Sequence, residues 1–78
     1  SELYFLYENL SKIYNRIDQP EKAIGATNWM KRIWQDSVAP YRLAAESYLR
    51  MGDLSKACQE YEELRRLGFS EPLPVNCR

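Results

Sequence analysis

"LRMGDLSKACQEYEELRRLG", residues 49–68, contains the signals that decide the fold of this chain. Apolar residues recur at helical spacing from Ala57 to Leu64. Gly52 can adopt the left-handed conformation that ends one helix, and Asp53 can cap the next. A second glycine closes the run. The segment therefore predicts the end of one helix, a tight turn and a complete second helix.

The same signals occur 34 residues earlier in the chain. When the sequence is aligned with itself at this shift, tyrosines, alanines, lysines and apolar residues coincide. The matched pairs are Tyr7 and Tyr41, Leu10 and Ala44, Tyr14 and Tyr48, Ile17 and Met51, Lys22 and Lys56, Ala23 and Ala57, and Met30 and Leu64. A fixed period of this length is typical of repeated helical hairpins.

Periodicity and breaking residues then divide the chain into four predicted helices. The first covers 3–17, and the second begins at Pro20, capped by Asp18 or Gln19, and runs to about Trp34. Pro40 starts the third helix, which ends before Gly52, and Gly68 ends the fourth. We therefore predict an all-α fold of two stacked helix-turn-helix hairpins, with four antiparallel helices and no strand.

The pattern resembles the tetratricopeptide repeat (TPR) family. The residues that carry the resemblance are Tyr7, Leu10, Tyr14, Ala23 and Met30 in the first unit, and Tyr41, Ala45, Tyr48, Gly52, Ala57, Tyr61 and Leu64 in the second. The resemblance implies a fragment of a right-handed α-solenoid over 1–71, with repeats at 4–37 and 38–71 and a tail at 72–78. Asp18 and Thr27 depart from the family pattern, which has glycine and a large aromatic residue there.

Composition excludes several classes of function. Eleven basic and eleven acidic residues balance in a chain of 78, so bulk charge gives no reason to expect a nucleic-acid or membrane partner. No apolar run is long enough to span a bilayer. There is no histidine, no glycine-rich phosphate loop and no metal-ligand motif. We expect no catalytic residue, no cofactor and no metal site, and hence no enzyme activity.

The two cysteines are too few for a disulfide scaffold. Cys58 falls in the apolar pattern of the fourth helix, and Cys77 falls in the tail. We therefore expect a small packed residue and a free tail thiol. Reduced cysteines are typical of an intracellular protein, so we expect a cytoplasmic location.

In the TPR family the first helix of each hairpin lines a concave groove that receives a peptide or helix. Removing the packed positions leaves the groove candidates. They are Phe5, Glu8, Asn9, Lys12, Asn15 and Arg16 in the first helix, and Arg42, Leu43, Glu46, Leu49 and Arg50 in the third. Alternating charges predict a four-charge ladder of Glu8, Lys12, Arg42 and Glu46, which is either a specificity feature or a self-paired solvated face.

Two further surfaces are candidates for partner binding. Trp29 falls on the outer face of the second helix, where it is either a partner anchor or partly covered by Ile33 or a neighbouring chain. We expect Trp34, in contrast, to pack in the core against the third helix. An apolar stripe on the first helix, for which we predict self-association, comprises Leu3, Leu6, Ile13 and Ile17. Its cover would be a preceding repeat, another domain or a second copy of the chain.

The sequence therefore predicts a non-catalytic scaffold or adaptor that binds another protein or peptide through the groove or the apolar stripe, with a homo-oligomer or adjacent repeats as possible neighbours. Single-stranded RNA is the alternative partner, because 48–72 also resembles a pentatricopeptide repeat. That family needs a polar base-reading residue early in the first helix, where this chain has Leu43, and a basic face that a neutral chain lacks.

Overall fold

A computed structural model of the chain describes residues 1–69 and Cys77. Four α-helices follow in order: α1 (Glu2–Arg16), α2 (Pro20–Ile33), α3 (Ala39–Arg50) and α4 (Leu54–Arg66). The helices pair as two hairpins, α1 with α2 and α3 with α4, and no strand occurs within the described residues. The all-α prediction of helical hairpins is confirmed, and the helix bounds differ from the predicted ones by one or two residues.

Each helix begins where the sequence supplies a suitable residue. The Ser1 hydroxyl accepts a hydrogen bond from the Tyr4 amide at 3.2 Å, and Asp53 accepts one from the Lys56 amide at 3.1 Å. Proline occupies the first turn of both α2 and α3, where its missing amide proton costs no helical hydrogen bond. Gln19 is the N-cap residue of α2 but makes no side-chain cap bond.

The turns within the two hairpins share the same geometry. Asp18 and Gly52, which are one period apart, both have a left-handed backbone, with φ of 62° and 76°. The next amide in each turn, that of Gln19 or Asp53, donates to the carbonyl of Tyr14 or Tyr48 at 2.8 Å. The predicted period therefore appears in the backbone as well as in the side chains.

Small residues allow the helices of each hairpin to pack closely. Ala23 and Ala57 are fully buried, as are Met30 and Leu64 one period apart. The rings of Tyr14 and Tyr48 lie beside these helices and receive the ammonium groups of Lys22 and Lys56 at 5.9 and 5.8 Å from the ring centres. The two tyrosines thus occupy equivalent surroundings.

The hairpins are joined through α1, α2 and α3. Asn15 lies at the centre of this junction: its Oδ1 accepts a hydrogen bond from the Ser47 hydroxyl at 2.7 Å, and its amide donates to the Leu43 carbonyl at 3.3 Å. Both side chains are fully buried. Because buried polar groups are costly unless paired, these bonds favour one register of α3 against α1.

Two expectations about the core need correction. Asn15, predicted to line the groove, is instead buried between the hairpins, where its amide group satisfies partners on α3. Trp34, predicted to pack against the third helix, is half-buried and meets the ring of Tyr4 on α1 edge to face, with centroids 5.1 Å apart. The chain has already left α2 at Trp34, and this directs the indole toward the start of α1.

Candidate protein-binding surfaces

The predicted groove lies where α1 and α3 run side by side. A cavity of about 320 Å³ on this face is lined by Lys12, Arg16, Leu43, Glu46 and Arg50. A second cavity, of about 220 Å³, is lined by Glu8, Lys12, Ala39, Arg42 and Leu43. Most of the predicted groove residues are therefore brought together by the fold, with Leu43 as the buried apolar floor.

The ion pairs described on this face run along the helices. Lys12 pairs with Glu8 at 4.0 Å, as predicted, and Glu46 pairs with Arg50 at 3.5 Å. Both pairs are partly or largely exposed, so each contributes at most about 1 kcal/mol. Arg16, for which no ion pair is described, lies in the same cavity as Lys12 and Arg50. This end of the groove therefore has more positive than negative groups.

Two of the predicted groove residues are apolar side chains that are exposed but line neither cavity. Phe5 is 58% exposed at the start of α1, and Leu49 is 44% exposed near the end of α3. Asn9, the remaining predicted member, is also exposed. A guest in the groove would therefore meet paired charges and a cationic end.

Trp29 lies on the outer face of α2, where its exposure fits both of the interpretations from sequence. Half of its surface is accessible, and the Arg32 guanidinium stacks 5.2 Å from its ring centre. Gly25, Asn28, Trp29 and Arg32 enclose a shallow cavity of about 290 Å³. This surface lies on α2 and is separate from the groove.

The apolar stripe on the first helix is about half exposed to solvent. Leu3, Leu6, Ile13 and Ile17 are 47–61% exposed. One period later, Pro40 and Ser47 take the positions of Leu6 and Ile13 and are buried. These two positions are thus open on α1 and covered on α3, whereas Met51, the equivalent of Ile17, is 42% exposed.

Sequence reasoning missed a cluster that joins the hairpins on the side of α2 and α4. The Lys31 ammonium binds both carboxylate oxygens of Glu60 and lies 4.7 Å from the ring centre of Tyr41. Burial, aided by the nearby Glu63 and Glu60 carboxylates, raises the pKa of Tyr41. The lysine and the glutamate are far apart in sequence, and no local spacing rule pairs them.

The expectation of a free tail thiol was wrong. Cys58 and Cys77 form a disulfide with a Cα–Cα distance of 5.4 Å, within the range such bonds require. The even cysteine count was the available signal, but two cysteines 19 residues apart do not by themselves indicate proximity. The rest of the predicted tail, 72–76 and residue 78, lies outside the described residues.

Among the described residues there is neither a membrane-spanning helix nor a metal-binding cluster. None of their helices is long and apolar enough to cross a bilayer. No group of three or more acidic, cysteine or histidine side chains in the described part of the chain could hold a metal ion.

Comparison with known proteins assigns the chain to no family. No protein-family model, curated protein or solved structure matches it significantly. The resemblance to the TPR family therefore stays a prediction that depends on the period and the residues at each register.

Proposed function

We propose that this chain is a non-catalytic protein-binding module of the TPR kind, a scaffold or adaptor that holds a peptide, helix or sister domain. The observation that carries the proposal is the groove between α1 and α3. Its lining combines a buried apolar floor at Leu43 with charged side chains from both helices. Such a surface suits recognition by shape and a few directed polar contacts.

The charges of the groove indicate what kind of peptide it would accept. Glu8 pairs with Lys12, and Glu46 pairs with Arg50. Because no ion pair is described for Arg16, the end of the groove near Arg50 has more positive than negative groups. An extended or helical peptide with an acidic residue at that end and an apolar residue over Leu43 fits this arrangement. Charge pairing at a groove rim contributes more to selectivity than to affinity.

A peptide-display selection against the purified chain tests the proposal. Enriched peptides are then measured by isothermal titration against Arg16→Glu/Arg50→Glu and against Lys22→Glu/Arg32→Glu, a matched double charge reversal on α2. We expect enrichment of acidic peptides, with at least a tenfold loss of affinity in the first variant and little change in the second. Failure to enrich any peptide, or equal affinity for both variants, contradicts the groove.

Single-stranded RNA stays the alternative partner. Leu43, which takes the place of a base-reading residue, is almost fully buried under the groove and presents no polar group there. Filter binding with single-stranded RNA at low salt separates the alternatives, because RNA binding falls steeply as salt rises. Tight, salt-sensitive retention that Arg16→Glu/Arg50→Glu abolishes would replace the peptide proposal with the RNA one.

The cytoplasmic location expected from sequence stays a prediction, and one observation counts against it. Disulfides persist in oxidising compartments and are rare in the cytosol, and Cys58 is bonded to Cys77. Mass spectrometry of protein from its native source, alkylated without reduction, would decide between them. Two alkylated thiols would favour the cytoplasm, and an unmodified pair two hydrogens lighter would favour an oxidising compartment.

A further inference from the structure

The junction between the two hairpins provides a template for what could cover the open stripe on α1. On the first hairpin, Asn15 from α1 and Lys31 from α2 face the second hairpin. Asn15 bonds to Ser47, and Lys31 lies over the ring of Tyr41. The surface of the first hairpin that carries Asn15 and Lys31 is named the donor face, and the surface of the second hairpin that receives them is named the acceptor face. The names refer to the packing of one hairpin on the next and not to the direction of hydrogen bonds.

The open stripe is the acceptor face of the first hairpin. Shifting the acceptor residues Pro40 and Ser47 back by one period gives Leu6 and Ile13. Ser47 is buried against the first hairpin, where it bonds to Asn15, and Pro40 is also buried, whereas Leu6 and Ile13 are exposed. The stripe therefore occupies the register at which one hairpin of this protein receives another.

The donor face of the second hairpin is open too, and its chemistry matches the stripe. Shifting Asn15 and Lys31 forward by one period gives Leu49 and Arg65, both exposed. If a second copy repeated the internal junction, Leu49 would meet Ile13 of that copy. The buried polar pair Asn15–Ser47 would thus become an apolar pair, and the two exposed side chains would cover each other.

A second contact of the junction also has an equivalent. Lys31 lies over Tyr41, and the corresponding pair between copies is Arg65 over Tyr7. The cation over an aromatic ring is retained, with arginine in place of lysine, and arginine is the commoner partner in such contacts. The ion pair to Glu60 is not retained, because the equivalent residue is Ala26.

We infer that a second copy of this chain is the occupant of the α1 stripe, docked head to tail on the α3–α4 face. The inference rests on the proposed function, since it names the partner of the apolar end. Leu49 of one copy packs on Ile13 of the next, and Arg65 stacks on Tyr7. Contacts of this head-to-tail kind do not close on themselves unless the rotation permits a ring, so assemblies grow with concentration.

The disulfide lies on the donor face. Ile24, Thr27 and Lys31 are spaced along one stripe of α2, and their equivalents on α4 are Cys58, Tyr61 and Arg65. The bond to Cys58 holds Cys77 on this stripe. Association is therefore expected to be stronger when the bond is opened, and the test includes both states.

The experiment uses two single variants and their mixture. Ile13→Glu removes the acceptor face but keeps the donor face, and Leu49→Glu does the reverse. Each position is about half exposed, so both variants should fold, and circular dichroism checks this. Light scattering over a dilution series reports mass for the wild type, each variant and an equimolar mixture, in the disulfide form and with Cys58→Ser/Cys77→Ser. Ile33→Glu, at a position on α2 that is 47% exposed and lies outside both docking faces, is the control.

Head-to-tail docking predicts that the wild type and Ile33→Glu associate, that each of the other variants is monomeric, and that their mixture forms one-to-one dimers. Rescue in either redox state supports the inference. A wild type that is monomeric in both redox states overturns the inference. A Leu49→Glu variant that still self-associates also overturns it, because self-association without the donor face requires a symmetric contact at Ile13. Groove peptides that bind a strictly monomeric chain would overturn this inference alone, and absence of both activities would overturn the proposed function as well.

Discussion

Tyr14 in the first hairpin and Tyr48 in the second lie in the same surroundings, whereas their neighbours Asn15 and Leu49 do not. Each tyrosine accepts the same turn hydrogen bond at 2.8 Å and lies under a lysine one turn into the next helix. Asn15 is fully buried, while Leu49 is 44% exposed. Contacts within a hairpin are thus repeated, and contacts between hairpins depend on whether a neighbour is present.

The largest effect on stability is expected in the core, where the two hairpins bury equivalent side chains. Met30→Ala and Leu64→Ala each remove a fully buried side chain and should lower the free energy of unfolding by about 2–5 kcal/mol. Ile33→Ala, at a position 47% exposed, is the control and should change it by about 0.5 kcal/mol or less. Urea unfolding followed by circular dichroism measures all three. A cost below 1 kcal/mol at only one of the two buried sites would break the equivalence of the hairpins.

The next largest effect on stability is expected at Asn15, and it is compared with the effect at the equivalent residue, Leu49. Asn15→Ala removes two buried hydrogen bonds, with the Ser47 hydroxyl and the Leu43 carbonyl, which still bond to each other at 2.9 Å, and should cost about 1–3 kcal/mol. Leu49→Ala, one period later on an open face, should cost about 0.5 kcal/mol or less in the monomer. Thermal unfolding at low protein concentration compares them. Equal costs would mean that the junction does not depend on the buried amide.

The 34-residue period could be predicted from sequence because the residues that repeat pack against neighbours within their own hairpin. Ala23, Tyr14 and their counterparts act within one hairpin, where helical spacing determines which side chains meet. The sequence analysis wrongly assigned Asn15 to the groove because a polar residue normally lies at the surface. Its hydrogen-bond partners on α3 are distant in sequence and are seen only in the folded structure. The Lys31–Glu60 pair and the Cys58–Cys77 bond were missed for the same reason. The exposure of the groove residues was easier to predict, because most of them lie on the faces of α1 and α3 that packing leaves free.

A smaller effect tests the turns. Gly52 has a left-handed backbone, and a Cβ there would meet no atom within 4 Å, so Gly52→Ala should cost about 1 kcal/mol through backbone strain alone. Asp18→Gly, at the equivalent position, should stabilise by a few tenths to about 1 kcal/mol. Gly25→Ala is the matched control: it lies within α2, also in open space, and should stabilise by about 0.5–1 kcal/mol. If Gly52→Ala stabilised like the control, the two turns would not share their geometry.

The smallest effect concerns Tyr41, whose equivalent Tyr7 has no preceding hairpin beside it in the described structure. Burial, and then the carboxylates of Glu63 and Glu60, raises the pKa of Tyr41 above its ordinary value of 10.0. The unfolded chain therefore loses this proton first as the pH rises. The stabilisation is complete below pH 10.0 and is lost as the pH rises toward the folded-state pKa.

We expect the free energy of unfolding of the wild type to fall more steeply above that pH than that of Tyr41→Phe, in urea titrations at a series of pH values. Glu63→Gln, which removes one cause of the shift but keeps the phenol, should give an intermediate slope. If the free energy of unfolding of Tyr41→Phe fell as steeply with pH as that of the wild type, burial and the nearby carboxylates would not raise the pKa of the Tyr41 phenol.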